Sequence, residues 1–129
     1  MTGCCAQDGD EVMIDMGARQ LTERERAVLE TMLSVDIPGA EALRRQASEA
    51  VVVDTCGCGC PSVDFQRGRG LGMSIRVNAA VPDSHDGLFL YTIEDPERGE
   101  ILGGIEWVGV GESNPDAFPS PELLDIRPA

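Results

Sequence analysis

The hydrophobic period of this chain changes once, near residue 50, and that change restricts the fold more than any other feature of the sequence. Before it, apolar residues recur at helical spacing. Val28, Leu29, Met32, Leu33 and Val35 fall on one helical face, while Glu23, Arg24, Arg26 and Glu30 fall largely elsewhere. Thr22 followed by Glu25 is a capping-box pattern, in which each side chain reaches the other's backbone N–H. The pattern predicts a helix over about 22–34, closed by Pro38, because Ile37 before a proline is pushed out of the helical region. A second helix over about 39–48 follows Pro38-Gly39, with Ala40, Leu43, Ala47 and Ala50 inward and Glu41, Arg44, Arg45 and Glu49 outward.

After residue 50 the signals are those of strands. Ala50 to Val53 is a short β-branched run, and Val63 and Phe65 share a face. Leu71, Met73, Ile75 and Val77 alternate with Gly72, Ser74 and Arg76, which predicts a half-buried strand with those four apolar residues inward. Leu88–Ile93 and Ile101–Val110 read as two further strands, separated by a turn at Glu94–Gly99. The tail carries Pro115, Pro119, Pro121 and Pro128 and has room for one helical turn at Glu122–Leu124. Helices first and strands after exclude a βαβ alternation. They predict an α+β fold in which an N-terminal helical hairpin packs on one face of a four- to five-stranded, mainly antiparallel sheet.

A chain of 129 residues is most simply one domain. Residues 1–20 read as a peripheral extension and 21–129 as the domain with its proline-bearing tail. Aromatic residues make up only 4%, so the core is expected to be aliphatic. No run of 18 apolar residues is present, which excludes a transmembrane helix on this reading. The first residues lack the basic and apolar regions of a signal peptide, which makes the cytoplasm the expected location.

The formal charge is -13 and is concentrated late in the chain. Residues 81–129 hold eleven acids against only Arg98 and Arg127. Such a field disfavours nucleic acid and anionic lipid and favours a basic protein partner. Glu94, Asp95, Glu97, Glu100, Glu106 and Glu112 are the candidate docking residues, on a solvated sheet edge and turn. Tyr91 and Trp107 are anchors for such a partner if exposed, and core residues otherwise.

The most unusual local motif is Cys56-Gly57-Cys58-Gly59-Cys60-Pro61. Alternate residues of an extended segment point the same way, so three sulfurs would share one side. Three readings follow. The cysteines are small core fillers, consistent with the burial habit of free cysteine; or they clamp a soft or borderline ion such as Zn or Cu(I); or they carry redox chemistry. Alternate sulfurs on a strand lie about 7 Å apart, so a metal site needs the segment to curl, which its glycines permit. A fourth zinc ligand would come from Cys4, Cys5 or His85. The redox reading lacks the Cys-x-x-Cys at a helix start that lowers a thiol pKa. Ser84-His85-Asp86 is a run of neighbours, whereas a catalytic triad is assembled from distant segments, so His85 reads as a surface-loop residue. Gly68, Gly70 and Gly72 with Arg67 and Arg69 open no helix and lack the Lys-Ser/Thr of a phosphate loop, so they read as a hairpin turn.

The stretches Leu21-Thr22-Glu23-Arg24-Glu25, Val35-Asp36-Ile37-Pro38-Gly39-Ala40-Glu41-Ala42-Leu43-Arg44-Arg45-Gln46 and Cys56-Gly57-Cys58-Gly59-Cys60-Pro61-Ser62-Val63 resemble a group of small, uncharacterised actinobacterial proteins. The resemblance covers about residues 21–65, with an echo near Gly104-Ile105-Glu106-Trp107. It implies no activity. By analogy of size and acidity it points to an immunity- or antitoxin-like binder without catalysis or cofactor, with a thiol-based metal or redox module as the alternative.

Overall fold

The computed structural model describes residues 18–55, 60–66, 72–109, 115 and 117–129. The elements run β1 (Arg19–Gln20), α1 (Glu23–Met32), α2 (Ala40–Ala47), β2 (Val51–Val52), β3 (Asp54–Thr55), β4 (Val63–Asp64), β5 (Met73–Ala80), β6 (Gly87–Asp95), β7 (Gly99–Val108), a 3-10 turn (Pro121–Leu123) and β8 (Asp125–Pro128). The class is α+β. Among the described residues the main sheet has six strands rather than the four or five expected, ordered β3-β4-β7-β6-β5-β8, and β1 pairs with β2 in a separate two-stranded ribbon. Every pairing is antiparallel.

Helix α1 starts where its sequence predicts. The Thr22 side chain accepts from the Glu25 N–H, and the Glu25 carboxylate accepts from the Thr22 N–H at 2.9 Å. Arg19 donates to both oxygens of that carboxylate at 2.9 Å, tying β1 to the helix start. The helix ends are closed by each other's side chains. Arg44 Nε donates to the Leu33 carbonyl at 2.8 Å, and Arg26 Nη1 donates to the Ala47 carbonyl at 3.0 Å. These two cations thus satisfy carbonyls that a helix terminus leaves without intrahelical partners.

Two bulges decide which side chains share a face of the sheet. Between β5 and β6, Ile75 pairs with Tyr91 and Val77 with Leu90, so Arg76 is the extra residue. Between β6 and β7, Tyr91 pairs with Gly104 and Thr92 with Leu102, so Gly103 is extra. Each insertion inverts the alternation beyond it. Val77, Ala79, Leu88, Leu90, Leu102, Ile105 and Trp107 therefore fall on one face. They share a core cluster with Val28, Leu29, Met32, Leu33 and Leu43 of the helical segment. Phe89, Tyr91, Ile93 and Ile101 form a second cluster on the opposite face. Met73 and Ile75 belong to that opposite face and are 38% and 46% exposed. This corrects the expected inward set of Leu71, Met73, Ile75 and Val77: only Val77 is buried with the main core, and Leu71 lies outside the described residues.

The Gly103 bulge has a steric cause. A Cβ at Gly103 would stand 2.4 Å from Tyr91 Cε2, and one at Gly104 would stand 2.4 Å from the Val63 carbonyl and 2.9 Å from Tyr91 Oη. The Tyr91 ring lies across these two glycines and donates its hydroxyl to Asp64 Oδ1 at 2.5 Å. Tyr91 is fully buried and Trp107 nearly so, so both act as core residues and neither is an exposed anchor. Full burial of a large apolar side chain contributes roughly 1.5–3 kcal/mol, against about 0–1 kcal/mol for an exposed ion pair. The two clusters, more than the surface charges, hold the fold.

Candidate functional site

The β6–β7 turn is built by its own acid. Asp95 Oδ2 accepts from the N–H groups of Glu97 at 3.2 Å and Arg98 at 2.7 Å, and Arg98 Nε approaches it at 3.4 Å. The Arg98 backbone donor holds the Asp95 carboxyl below its ordinary pKa, with Glu97 N–H and the Arg98 charge adding to it. Gly99, at φ +79°, completes the reversal in a region that L residues rarely adopt. Asp95 is therefore a structural residue of the turn, with Glu94 and Glu97 exposed beside it.

Glu100 stands directly across from Glu94 in the ladder. Two like charges so placed repel, and the structure relieves this by engaging one of them. Glu100 Oε2 accepts from Arg76 and, at 2.7 Å, from Thr92 Oγ1. Burial alone would raise the Glu100 carboxyl; the Arg76 and Thr92 donors and the Arg76 charge outweigh it, and the group lies below its ordinary value. The bulge puts Arg76 within reach, and the same guanidinium donates to the Pro38 carbonyl at 2.7 Å. Glu100 thus joins β5, β6, β7 and the entry to α2, and is not a free docking charge.

The expected acidic residues do not form one patch. Glu94, Asp95 and Glu97 cluster at the turn. Glu106 lies six residues along β7 from Glu100, about 20 Å at strand rise. It is also on the opposite face because of the Gly103 bulge, and it is half-buried opposite Phe89. Glu112 lies outside the described residues. Strands β6 and β7, which carry these acids, lie inside the strand order, although β7 runs past β4 at Glu100–Leu102.

Of the three clustered cysteines, Cys56 and Cys58 lie outside the described residues. Cys60 lies within the main core, 5% exposed, and its Sγ lies 3.3 Å from Ser62 Oγ. Ser62 Oγ in turn accepts from the Trp107 N–H at 2.8 Å, so this buried pair anchors the segment before β4 to β7. Among the described residues no group of three or more His, Cys, Asp and Glu side chains is placed to hold a metal ion. His85 is exposed in the β5–β6 loop. An open cleft of about 450 Å³ beside the start of α2 is lined by residues including Asp36, Glu41, Arg44 and Arg45. Arg44 is already engaged with the Leu33 carbonyl, and this mixed lining brings no nucleophile next to a base.

Two features escaped the sequence. Gln46, on the polar side of α2, donates through Nε2 to the Glu100 carbonyl at 3.1 Å and accepts through Oε1 from the Leu102 N–H at 2.8 Å. Its amide closes the stretch of β7 that lies beyond the Phe65 N–H to Gly103 carbonyl bond at 2.7 Å on the β4 side. Among the described residues, the opposite stretch, the first half of β5, has no such cover. Strand β8 pairs with Val77–Ala80, and the Ala129 N–H reaches the Arg76 carbonyl at 2.9 Å. The Gly72 carbonyl accepts from the Glu94 N–H, so by alternation the N–H and C=O of Met73 and Ile75 point away from β6. No described residue bonds to these outward groups, and Met73, Ser74 and Ile75 are all exposed.

No protein-family model, curated protein or solved structure matches the chain. No helix among the described residues is long and apolar enough to cross a membrane.

Proposed function

We propose that this chain is a non-catalytic protein-binding module of the cytoplasm, an immunity- or antitoxin-like inhibitor that covers a basic partner. The observation that carries this reading is the acidic β6–β7 turn, where Glu94 and Glu97 are exposed around a carboxylate-built reversal on a chain of charge -13. A field of this sign speeds encounter with a cationic surface, and specificity then comes from the contacts made on docking. Glu94 and Glu97 are the partner-facing acids of this reading; Asp95, proposed with them from the sequence, builds the turn that presents them, and Glu100 is engaged by Arg76.

The test is the association of the full chain with basic probe proteins, lysozyme and a basic ribonuclease, across ionic strength. The reading expects association that weakens with salt. It also expects the Glu94→Lys/Glu97→Lys double variant to lose more affinity than a Glu122→Lys/Asp125→Lys control of equal charge change. Equal losses in the two variants, or association indifferent to salt, would contradict it.

A further inference from the structure

We infer that the open edge of β5 at Met73–Ile75 receives an extended segment of the basic partner as an added antiparallel strand. This deepens the reading above and rests on it for the sign of the partner's charge. Edge groups of a sheet are templates for pairing, and proteins usually blunt them with prolines, charges, very short strands or a covering side chain. The other edges of this sheet are blunted in these ways. Strand β3 is two residues long, β8 carries Arg127 and Pro128, and the stretch of β7 that β4 does not reach is closed by the Gln46 amide. At Met73–Ile75 none of these devices appears among the described residues. Two N–H and two C=O groups face outward, flanked by two exposed apolar side chains on the same face.

The surroundings select the occupant. A second copy of the chain would bring another charge of -13 to the same edge. A cationic strand meets the opposite situation. Ser74 and its cross-strand partner Thr92 lie on the same face as Glu94, and a strand added beside β5 would run two strand spacings, about 10 Å, from β6. That distance is slightly more than the Debye length of about 8 Å at physiological salt, so the pull of Glu94 and the neighbouring turn acids is partly screened there and strengthens as salt is lowered. An incoming segment with alternating apolar and basic residues would set its apolar side chains beside Met73 and Ile75 and its cations on the Glu94 face. Main-chain bonds would supply affinity, and the two faces would supply selection, as in other strand-addition complexes.

The test is fluorescence titration of the full chain with a short capped peptide of alternating valine and lysine, against its valine–glutamate counterpart, with amide exchange on the same samples. The inference expects binding of the cationic peptide alone, with slowed exchange at the Met73 and Ile75 amides. Ile75→Pro should cut that binding at least about tenfold, because the lost N–H is an outward one and proline is tolerated at such positions. Should that variant unfold, the exchange result on the unaltered chain decides alone. Protection elsewhere with none at Met73 and Ile75 would overturn the inference. Concentration-dependent self-pairing through the same amides without peptide would also overturn it. The two readings fail separately. If Glu94→Lys/Glu97→Lys abolishes binding while folded Ile75→Pro leaves it intact, the basic-partner reading stands and the edge does not. If both peptides bind equally at the edge, strand addition stands and the charge selection falls.

Discussion

The stretch of β7 around Glu100–Leu102 and the stretch of β5 around Met73–Ile75 are both strand segments that outrun their neighbours, and they are finished in opposite ways. The first is closed by one glutamine side chain that imitates a neighbouring strand, accepting from one residue and donating to another. Among the described residues nothing bonds to the outward backbone groups of the second, and its apolar side chains at Met73 and Ile75 are 38% and 46% exposed. Each lies next to a bulge, at Gly103 and at Arg76 respectively. The Gly103 bulge is filled by Tyr91 and becomes core. The Arg76 bulge sends its guanidinium to Glu100 and Pro38 and leaves the residues before it on the other face. A fold can therefore spend its polar side chains on closing one edge and leave another available.

The largest expected effect comes from undoing the closed edge. Gln46→Leu leaves the Leu102 N–H and the Glu100 carbonyl without their partner. Each unsatisfied buried group costs about 1–3 kcal/mol, so a loss of about 2–6 kcal/mol is expected in urea unfolding. A change below half a kcal/mol would show that the amide does not close this edge. Gly103→Ala comes next: its methyl enters the space of the Tyr91 ring, and overpacking of this kind typically costs about 1–3 kcal/mol. Thermal denaturation with near-ultraviolet circular dichroism reads both the stability and the tyrosine environment.

Acid should loosen the closed side first. Glu100 and Glu25 lie below their ordinary values in the folded chain, because Arg76 and Thr92 for the one, and Arg19 and the Thr22 groups for the other, overcome the opposing effect of burial. A depressed carboxyl contributes stability above its unfolded pKa and loses it as pH falls through the folded value. Stability should therefore drop as pH falls below the ordinary carboxylate range, and Glu100→Gln should flatten part of that slope. An unchanged slope in this variant would remove Glu100 from the account. The smallest effect belongs to the open edge: Ile75→Thr, at a position 46% exposed, should shift stability by no more than about 0.5 kcal/mol. A larger loss would mean that Ile75 is covered.

The helices were legible because their signals are local. A capping box and a 3.6-residue stripe lie within a dozen neighbouring residues, and the Thr22–Glu25 pair forms as its spacing implies. The β6–β7 turn was legible for the same reason, although the role of Asp95 as its builder was not. The inverted face of Met73 and Ile75 was hidden, since strict alternation through Arg76 gives no hint of a bulge that depends on register with Tyr91 and Leu90. Strand β8 was hidden in a tail rich in proline; Pro128 is tolerated there because the strand lies at the sheet's edge. The role of Gln46 was hidden because its partners lie more than fifty residues away, and a lone glutamine on a polar helix face looks like any other. The acids misled for a related reason. Composition showed how many there are, but only the pairing of Glu94 with Glu100 and the Gly103 bulge show which are free and on which face they lie.

The contrast between the two edges is tested most directly by residue-resolved amide exchange on the free chain near neutral pH. The account predicts a protected Leu102 amide, held by the Gln46 carbonyl oxygen, and Met73 and Ile75 amides that exchange close to the rate of an unstructured peptide while their neighbour Ser74, bonded into β6, is protected. Protection of Ile75 equal to that of Ser74, or rapid exchange at Leu102, would contradict it.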